Sequence, residues 1–596
     1  MTTARPLTHR QILVVFMGLA TGMLLAALDQ TIVATALPVI VGDLGGLTHL
    51  SWVVTAYLLT STVTTPLYGK IGDLYGRKRI FQAAIVVFLA GSALSGLSRG
   101  MGELIAFRAV QGAGAGGLMA LAMAIIGDVV SPRERGRYQG YLGAVFALSS
   151  VMGPLLGGFL TDHASWRWIF YINLPLGAVA LFVTATVLDL PYERVQHRLD
   201  VTGALLLVAG VSSLLLVTAW GGTEYAWGSA PIVGLACAGA VLVGVFLWWE
   251  RRVPEPVLPL SLFRNSIFSV SGAASFILGL AMFGAIVFLP LFLQVVTRAS
   301  ATNSGLLLAP LMLGVISASV ASGRVITRTG RYRIFPLAGT ILLTLGIYLL
   351  STMDRSTTMA TAFAFMVVVG VGIGLCMQVL ILAVQNAVSF RELGTATSGV
   401  TFFRSLGGAF GVSVFGAILN DRLSHHLALL LPGGVRLDPR LLQESPDRLR
   451  ELPPLVQGAL VEAFARSIHV VFLWAIPMAA AAFLIVWFLK ELPLRDWAHM
   501  GAAVEGAATP PAAPSEPDDW ILAELDGGRR RRAEFLRSAS SAGMSVAAVD
   551  RALRRLVADG LVERPERGVY VRRNGERART TGQTSGRSRR RRGVRR

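Results

Sequence analysis

Fourteen apolar stretches run through this chain, and each is about as long as the roughly 20 residues a helix needs to cross a bilayer core. They lie near residues 12–37, 50–70, 80–98, 102–128, 137–160, 167–189, 201–220, 231–249, 267–295, 303–323, 334–351, 359–386, 397–419 and 468–489. In lipid only helices and closed barrels satisfy their own backbone hydrogen bonds, and runs of this length are helical. Charge is correspondingly scarce: 15% of the 596 residues are charged, against about 25% in soluble domains, and the mean hydropathy is +0.60. The expected fold is therefore an all-α polytopic membrane protein. The first run, from Ile12 to Leu28, follows Arg5 and Arg10. It is too long for the core of a signal peptide and no small-x-small cleavage site follows, so it reads as an uncleaved span.

The basic residues orient these spans. Even-numbered short links hold Lys70, Arg77, Lys78 and Arg79, then Arg133, Arg135 and Arg137, then Arg194 and Arg198, then Arg251, Arg252 and Arg264. A later even link holds Arg324, Arg328, Arg331 and Arg333, whereas residues 41–50 and 221–230 have no Lys or Arg. The positive-inside rule then puts both termini in the cytoplasm of a cell whose inner (plasma) membrane holds the chain. Residues 69–81 (GKIGDLYGRKRIF) and 323–335 (GRVITRTGRYRIF) align without a gap, each after an even-numbered span. Such a repeat points to duplicated halves related by an axis along the membrane normal. The expected organisation is a six-helix bundle over 1–190, two extra helices in 191–260, and a second six-helix bundle over 261–492. That second bundle carries a long extracytoplasmic loop at 420–467.

Catalytic chemistry is not indicated. Cys237 and Cys376 lie in apolar runs, too few for a disulfide framework and without metal-ligand spacing. No phosphate-binding loop of the GxxxxGK[ST] form, zinc-type His pair or nucleophile–base set stands out, so neither an enzyme, a metal nor a cofactor is expected.

Four segments carry the chemistry. LDQTIVATALP, residues 28–38, places Asp29 inside the first span. An acid at that depth costs about 2.5–3.5 kcal/mol on insertion scales and marks a functional site by default, here proton coupling or contact with a cationic substrate. GKIGDLYGRKR, residues 69–79, combines Gly69, Gly72 and Gly76, which allow a tight turn, with Asp73 and Arg77. Asp73 can pair with Arg77 or sit at a neighbouring helix N-terminus. RAVQGAGAGG, residues 108–117, puts Arg108 within the fourth span, where it needs an acid or water, and by depth it could share one cavity with Asp29. GPLLGG, residues 153–158, has Gly153, Pro154, Gly157 and Gly158 to bend the fifth helix and bring it close to its partner.

Together these segments, in this order over residues 10 to about 490, resemble the fourteen-span drug:proton antiporter family of the major facilitator superfamily, the QacA/EmrB type. The resemblance implies the major facilitator fold with 6+2+6 helices and proton-coupled efflux of drugs or other amphipathic molecules. It implies proton transfer at Arg108, an outward-facing state held by the 69–79 loop, and export rather than import from the Gly153–Gly158 pattern. Phe276, Met282, Phe283, Phe288 and Phe292 are candidate cavity residues, and Arg404 is either a further site residue or, as the orientation favours, an anchor at the cytoplasmic interface. A dedicated exporter of a lipid, siderophore or secondary metabolite is the alternative within transport.

After a linker at 493–517, residues 518–573 read as a small folded cytoplasmic domain. VDRALRRLVADGLVERPERGVYVRR resembles the recognition helix and wing of winged helix-turn-helix domains, with Gly560 capping the helix and Gly568 turning the wing. Residues 574–596 form an Arg-rich tail. From residue 501 onward there are 21 Arg and 12 acids, a charge suited to anionic lipid headgroups or to nucleic acid. A membrane-tethered DNA-binding sensor is the competing reading of another class.

Overall fold

In the computed structural model the chain divides into two compact units, Met1–Gly501 and Ala502–Arg596. The structure describes residues 9–44, 50–188, 199–222, 225–296, 307–354, 357–430 and 454–494 of the first. In the second it describes 521–522, 525, 530–531, 546–566 and 569–572.

The first unit is almost wholly helical: α1 His9–Leu44, α2 Leu50–Tyr75, α3 Arg77–Leu97, α4 Met101–Val129, α5 Pro132–His163, α6 Trp168–Tyr171 and α7 Asn173–Val187. Then follow α8 Val201–Trp220, α9 Ala230–Glu250, α10 Ser266–Val296, α11 Ala309–Thr329, α12 Ile334–Ser351, α13 Met359–Ala387, α14 Leu393–Leu430 and α15 Pro454–Trp487. Among the described residues twelve helices, counting α6–α7 as one, are long and apolar enough to cross a membrane. The other long helices, α2 and α10, pack among them. Polarity is why α2 falls short: Thr55, Ser61, Thr62 and Thr65 face a central cavity. The outer surface is apolar, with Phe182, Leu205, Val241, Leu484 and Phe488 each more than 60% exposed, as a lipid-facing wall requires.

Duplication is visible in the packing. Helix α1 lies against α5 and α7, and α4 against α2 and α3; α10 lies in the same way against α14 and α15, and α13 against α11 and α12. The halves meet where α2 crosses α14 and α11 crosses α5. A second repeat, absent from the sequence reading above, supports the packing within each half. Helices α4 and α13 are both 29 residues long and carry alternating glycines at the same offset. A Cβ on Gly112 or Gly116 would strike the backbone of α2, and one on Gly114 that of α3. On α13, Gly370 and Gly374 press on α11, and Gly372 on α12. Alternating small residues thus let one helix approach two neighbours at once.

Helix α8 is not peripheral. Leu207, Val211 and Leu215 of α8 share a core with Val63 of α2 and Phe402 of α14, so α8 closes a seam between the halves. Helices reach into the expected 420–467 loop from both sides, α14 ending at Leu430 and α15 beginning at Pro454; residues 431–453 lie outside the described residues.

In the second unit, α16 (Val546–Ala558) packs through Val549, Ala552, Leu553 and Leu556 on Ile521, Leu525, Val562 and Tyr570. Its three-stranded antiparallel sheet has β1 (Arg530–Arg531) and β2 (Val562–Glu566) on either side of β3 (Val569–Arg572). Gly560 takes φ of 72° just after α16, the left-handed cap that glycine adopts without steric cost. Gly568 lies outside the described residues.

Candidate transport pathway and gate

Asp29 and Arg108 form an ion pair sealed inside the first half, 0% and 1% exposed. Gln111 donates to Asp29 Oδ1 at 2.8 Å and Asn173 at 3.3 Å. Asn173, the first residue of α7, also donates to Ser92 Oγ at 3.0 Å. Arg108 donates to Gln111 Oε1 at 2.8 Å and to the Val53 carbonyl at 3.4 Å. Its guanidinium lies 4.2 Å from the centre of the Tyr57 ring, and the Tyr57 hydroxyl donates to the Ala26 carbonyl at 3.0 Å. The glycines of α4 allow this arrangement: Gly112, one turn beyond Arg108, rests on the Tyr57 backbone and pulls α4 against α2.

By depth Asp29 and Arg108 could face one cavity, but both lie outside it. A cavity of about 620 Å³ lies between the halves, and neither residue lines it. On α1 the cavity face is Met23, Ala26 and Gln30, and a helix turns about 100° per residue, so Asp29 points away from where Gln30 points. Tyr57 belongs to both places, its ring stacked on Arg108 and the residue itself part of the cavity wall.

At one end the cavity is closed by contacts between the halves. Asp73 accepts hydrogen bonds from Gly394 N at 3.1 Å, Thr395 N at 2.7 Å and Thr395 Oγ1 at 2.8 Å. It therefore caps the first turn of α14, where a negative charge is favoured, and at the same time accepts from Arg77 Nε at 3.0 Å and Nη2 at 2.6 Å. Both roles open to Asp73 in the sequence are filled together. Arg77 also pairs with Asp128. Gly69 and Gly72 face Ser398 and Leu121 at close range, and Gly76 turns the chain into α3 with φ of 94°. In the second copy Gly323 meets the Gly136 carbonyl across α5, while Thr327 donates to the Gly323 carbonyl at 2.8 Å.

A neutral hub that the sequence reading lacked completes this closure. Gln385 donates to the Met123 carbonyl at 3.0 Å and to Thr397 Oγ1 at 3.1 Å, and accepts from Gln139 at 2.8 Å. Arg135, counted above among the positive-inside residues, is fully buried. It donates to the carbonyls of Val130, Gly127 and Gln385. A glutamine within an apolar run gives no charge signal, and Arg135 looks like its exposed neighbour Arg137.

In α5, Gly153 and Gly157 are buried one turn apart. Gly153 faces Thr31 of α1 too closely for a Cβ, and Thr31 donates to the Ser149 carbonyl at 3.1 Å. That carbonyl is next to the one Pro154 deprives of its helical donor. Pro154 and Gly158 are half-buried. At the other end of the first half, Trp166 and Arg167 donate to Asp43 at 2.8 and 2.9 Å, fastening α6 to α1.

The cavity wall runs from Thr65 and Thr401 on the closed side to Gly221 and Gly222, just beyond α8, and Asn420 of α14. Leu215 and Thr218 of α8 line it, as do Met23, Met119, Met123, Met282 and Met377. Of the aromatic candidates on α10, Phe288 lines the cavity, whereas Phe276 packs on Phe410 and Phe292 is buried elsewhere. The side chain of Phe283 lies outside the described residues. Arg404 is a second correction: it is 8% exposed and lines the cavity, not an interface.

A two-fold pair of apolar helical halves around a central cavity closed at one end is the architecture of a membrane transporter. Residues 19–412 match the Major Facilitator Superfamily, and the chain belongs to that family. It is 45% identical over 483 residues to an uncharacterized MFS-type transporter of Mycobacterium tuberculosis, covering 81% of this chain and 70% of that protein. It is 38% identical to the multidrug transporter protein MdtP of Bacillus subtilis (80% and 93% covered) and 37% to multidrug resistance protein 3 of the same organism (82% and 96%). In fold it is similar to the proton:xylose symporter XylE, with a TM-score of 0.55 at 13% identity, covering 81% and 96%.

Proposed function

We propose that this protein exports amphipathic small molecules across the inner membrane by proton antiport, as a fourteen-span transporter of the QacA/EmrB type with both termini in the cytoplasm. The observation that carries the reading is Tyr57, which touches the sealed Asp29–Arg108 pair on one side and the cavity on the other. A proton arriving at Asp29 removes the charge that holds Arg108. Arg108 rests on Tyr57 and on the Val53 carbonyl of α2, and α2 carries Asp73 at its other end, roughly 30 Å away at 1.5 Å per residue. Helix α2 is thus the lever joining the proton site to the gate. Substrate in the cavity and proton at Asp29 communicate through Tyr57 rather than by direct charge contact. Proton entry releases about 2.3 kcal/mol per 100 mV of membrane potential. The multidrug relatives support efflux, and the methionine-rich wall suits adaptable recognition. The second unit is read as a winged-helix-like domain whose Arg-rich tail lies against anionic headgroups.

The test is transport in everted vesicles across an imposed pH gradient, comparing wild type with Asp29→Asn over a panel of amphipathic dyes. Gradient-driven transport that disappears in the variant supports antiport through Asp29. Transport that persists undiminished in the variant refutes that site.

A further inference from the structure

Four arginines are buried among the described residues, and three have partners. Arg77 holds two aspartates, Arg108 holds Asp29, and Arg135 holds three backbone carbonyls. Arg404 has no hydrogen-bond or ion-pair partner among the described residues, and it lines the cavity. It also borders a small recess walled by Ser275, Leu278, Met282, Ile373 and Met377, none of which can neutralise it. Among the described residues no Asp, Glu, Lys or His lines the cavity; their remaining polar groups there are hydroxyls, amides and backbone. A charge at membrane depth needs a counter-charge or water, and no described residue around Arg404 supplies a counter-charge.

We infer that the cavity takes amphipathic anions, an apolar body bearing a carboxylate, sulfonate or phenolate, with Arg404 as counter-ion; the inference rests on the export reading above only for the direction of transport. The guanidinium fork accepts a two-oxygen anion in bidentate fashion, Thr401 and Ser405 lie within one turn of it on α14, and the methionines and Phe288 receive the body. The sealed Asp29 exerts no direct contact on such a ligand. An anion leaving an inside-negative cell also moves down the electrical gradient.

The test uses three probes of matched shape: pyrenebutyrate, its methyl ester and pyrenebutylamine. Each is titrated against the purified full-length protein and offered to everted vesicles under a pH gradient. The carboxylate is expected to bind about tenfold or more tightly than the ester, the range of a charge-assisted hydrogen bond, with the amine weakest. Arg404→Gln should bring the carboxylate-to-ester ratio close to one, and Arg404→Lys should restore most of the preference. Because the wild-type ranking alone is decisive, a variant that fails to fold does not rescue the idea: equal or tighter binding of ester or amine overturns it. Carboxylate preference without gradient-driven transport of any probe upholds the anion site and counts against export. Transport of all three probes with no charge preference upholds export and overturns the anion site.

Discussion

Thr395 gives Asp73 both of its donors, the backbone N–H at 2.7 Å and the hydroxyl at 2.8 Å, and so ties the end of α2 in one half to the start of α14 in the other. The same carboxylate receives Arg77, itself held by Asp128. Opening this end of the cavity must therefore strip a buried carboxylate of several charge-assisted bonds, each contributing about 1.5–3 kcal/mol.

Asp73→Ala should shift the gate towards its open state. Cys237 is exposed and Cys376 buried, so Cys237→Ser leaves a background without an accessible thiol among its two cysteines. Leu393→Cys, at a fully buried position of the closed gate, is the reporter for a membrane-impermeant thiol reagent added on the gate side. Its labelling should quicken by about tenfold or more when Asp73 is lost, as one such bond implies. Unchanged labelling would show that the remaining contacts, the glutamine hub at Gln385 among them, hold the gate closed without Asp73.

The Asp29–Arg108 pair should show strong coupling in stability. Removing one partner of a buried pair leaves an uncompensated charge and costs about 3–5 kcal/mol, whereas removing both costs much less than the sum. Thermal unfolding of purified Asp29→Asn, Arg108→Gln and the double variant tests this. The double variant should be no less stable than the weaker single. Additive losses would mean that Arg108 draws its support from Val53, Gln111 and Tyr57 rather than from Asp29.

Gly69 and Gly323 close the gate by the same device on opposite sides of the pseudo-two-fold, yet they should differ in how substitution can be relieved. A methyl at 69 meets the Ser398 side chain most closely and the Gly394 carbonyl less closely, whereas one at 323 meets only the backbone of Gly136 and Arg137. Overpacking of this kind costs about 1–3 kcal/mol, here charged to the closed state. Gly69→Ala should slow transport and regain much of it with Ser398→Gly. Gly323→Ala should slow it at least as much and find no such rescue, since Gly136 has no side chain to remove. Vesicle transport rates across the four proteins decide between these outcomes.

Where a feature was legible in the sequence, it was because charge or glycine stood out against an apolar background. Asp29 and Arg108 are such cases, and so is the 69–79 loop with its echo at 323–335. Arg404 was misread because it falls near the start of an apolar run. Helix α14 begins at Leu393, polar for its first turn against Asp73, and this sets Arg404 about three turns inside. Arg135 and Arg137 are two residues apart, but one is sealed on carbonyls and the other exposed over Tyr141. Linear order does not show which face of α5 turns inward. Gln139 and Gln385 left no trace because neutral amides do not interrupt hydropathy. That Asp29 stands behind Tyr57, away from the cavity, depends on the rotation of α1, which depth alone leaves open.

Helix α8 was expected only as one of two extra helices between the halves, yet it supplies Leu215, Thr218, Ala219, Gly221 and Gly222 to the cavity wall. A bulky side chain there should alter what the cavity accepts. Thr218→Trp projects an indole from a residue 8% exposed into a space of about 620 Å³, within the usual range for drug-sized ligands. Transport of large substrates should fall well below that of small ones. Val241→Trp on α9, at a position 64% exposed on the lipid-facing surface, is the matched control and should leave the size profile unchanged. If both variants behave alike, the effect comes from an added tryptophan in the membrane, and α8 is a spacer. If only Thr218→Trp narrows the profile, α8 takes part in substrate selection.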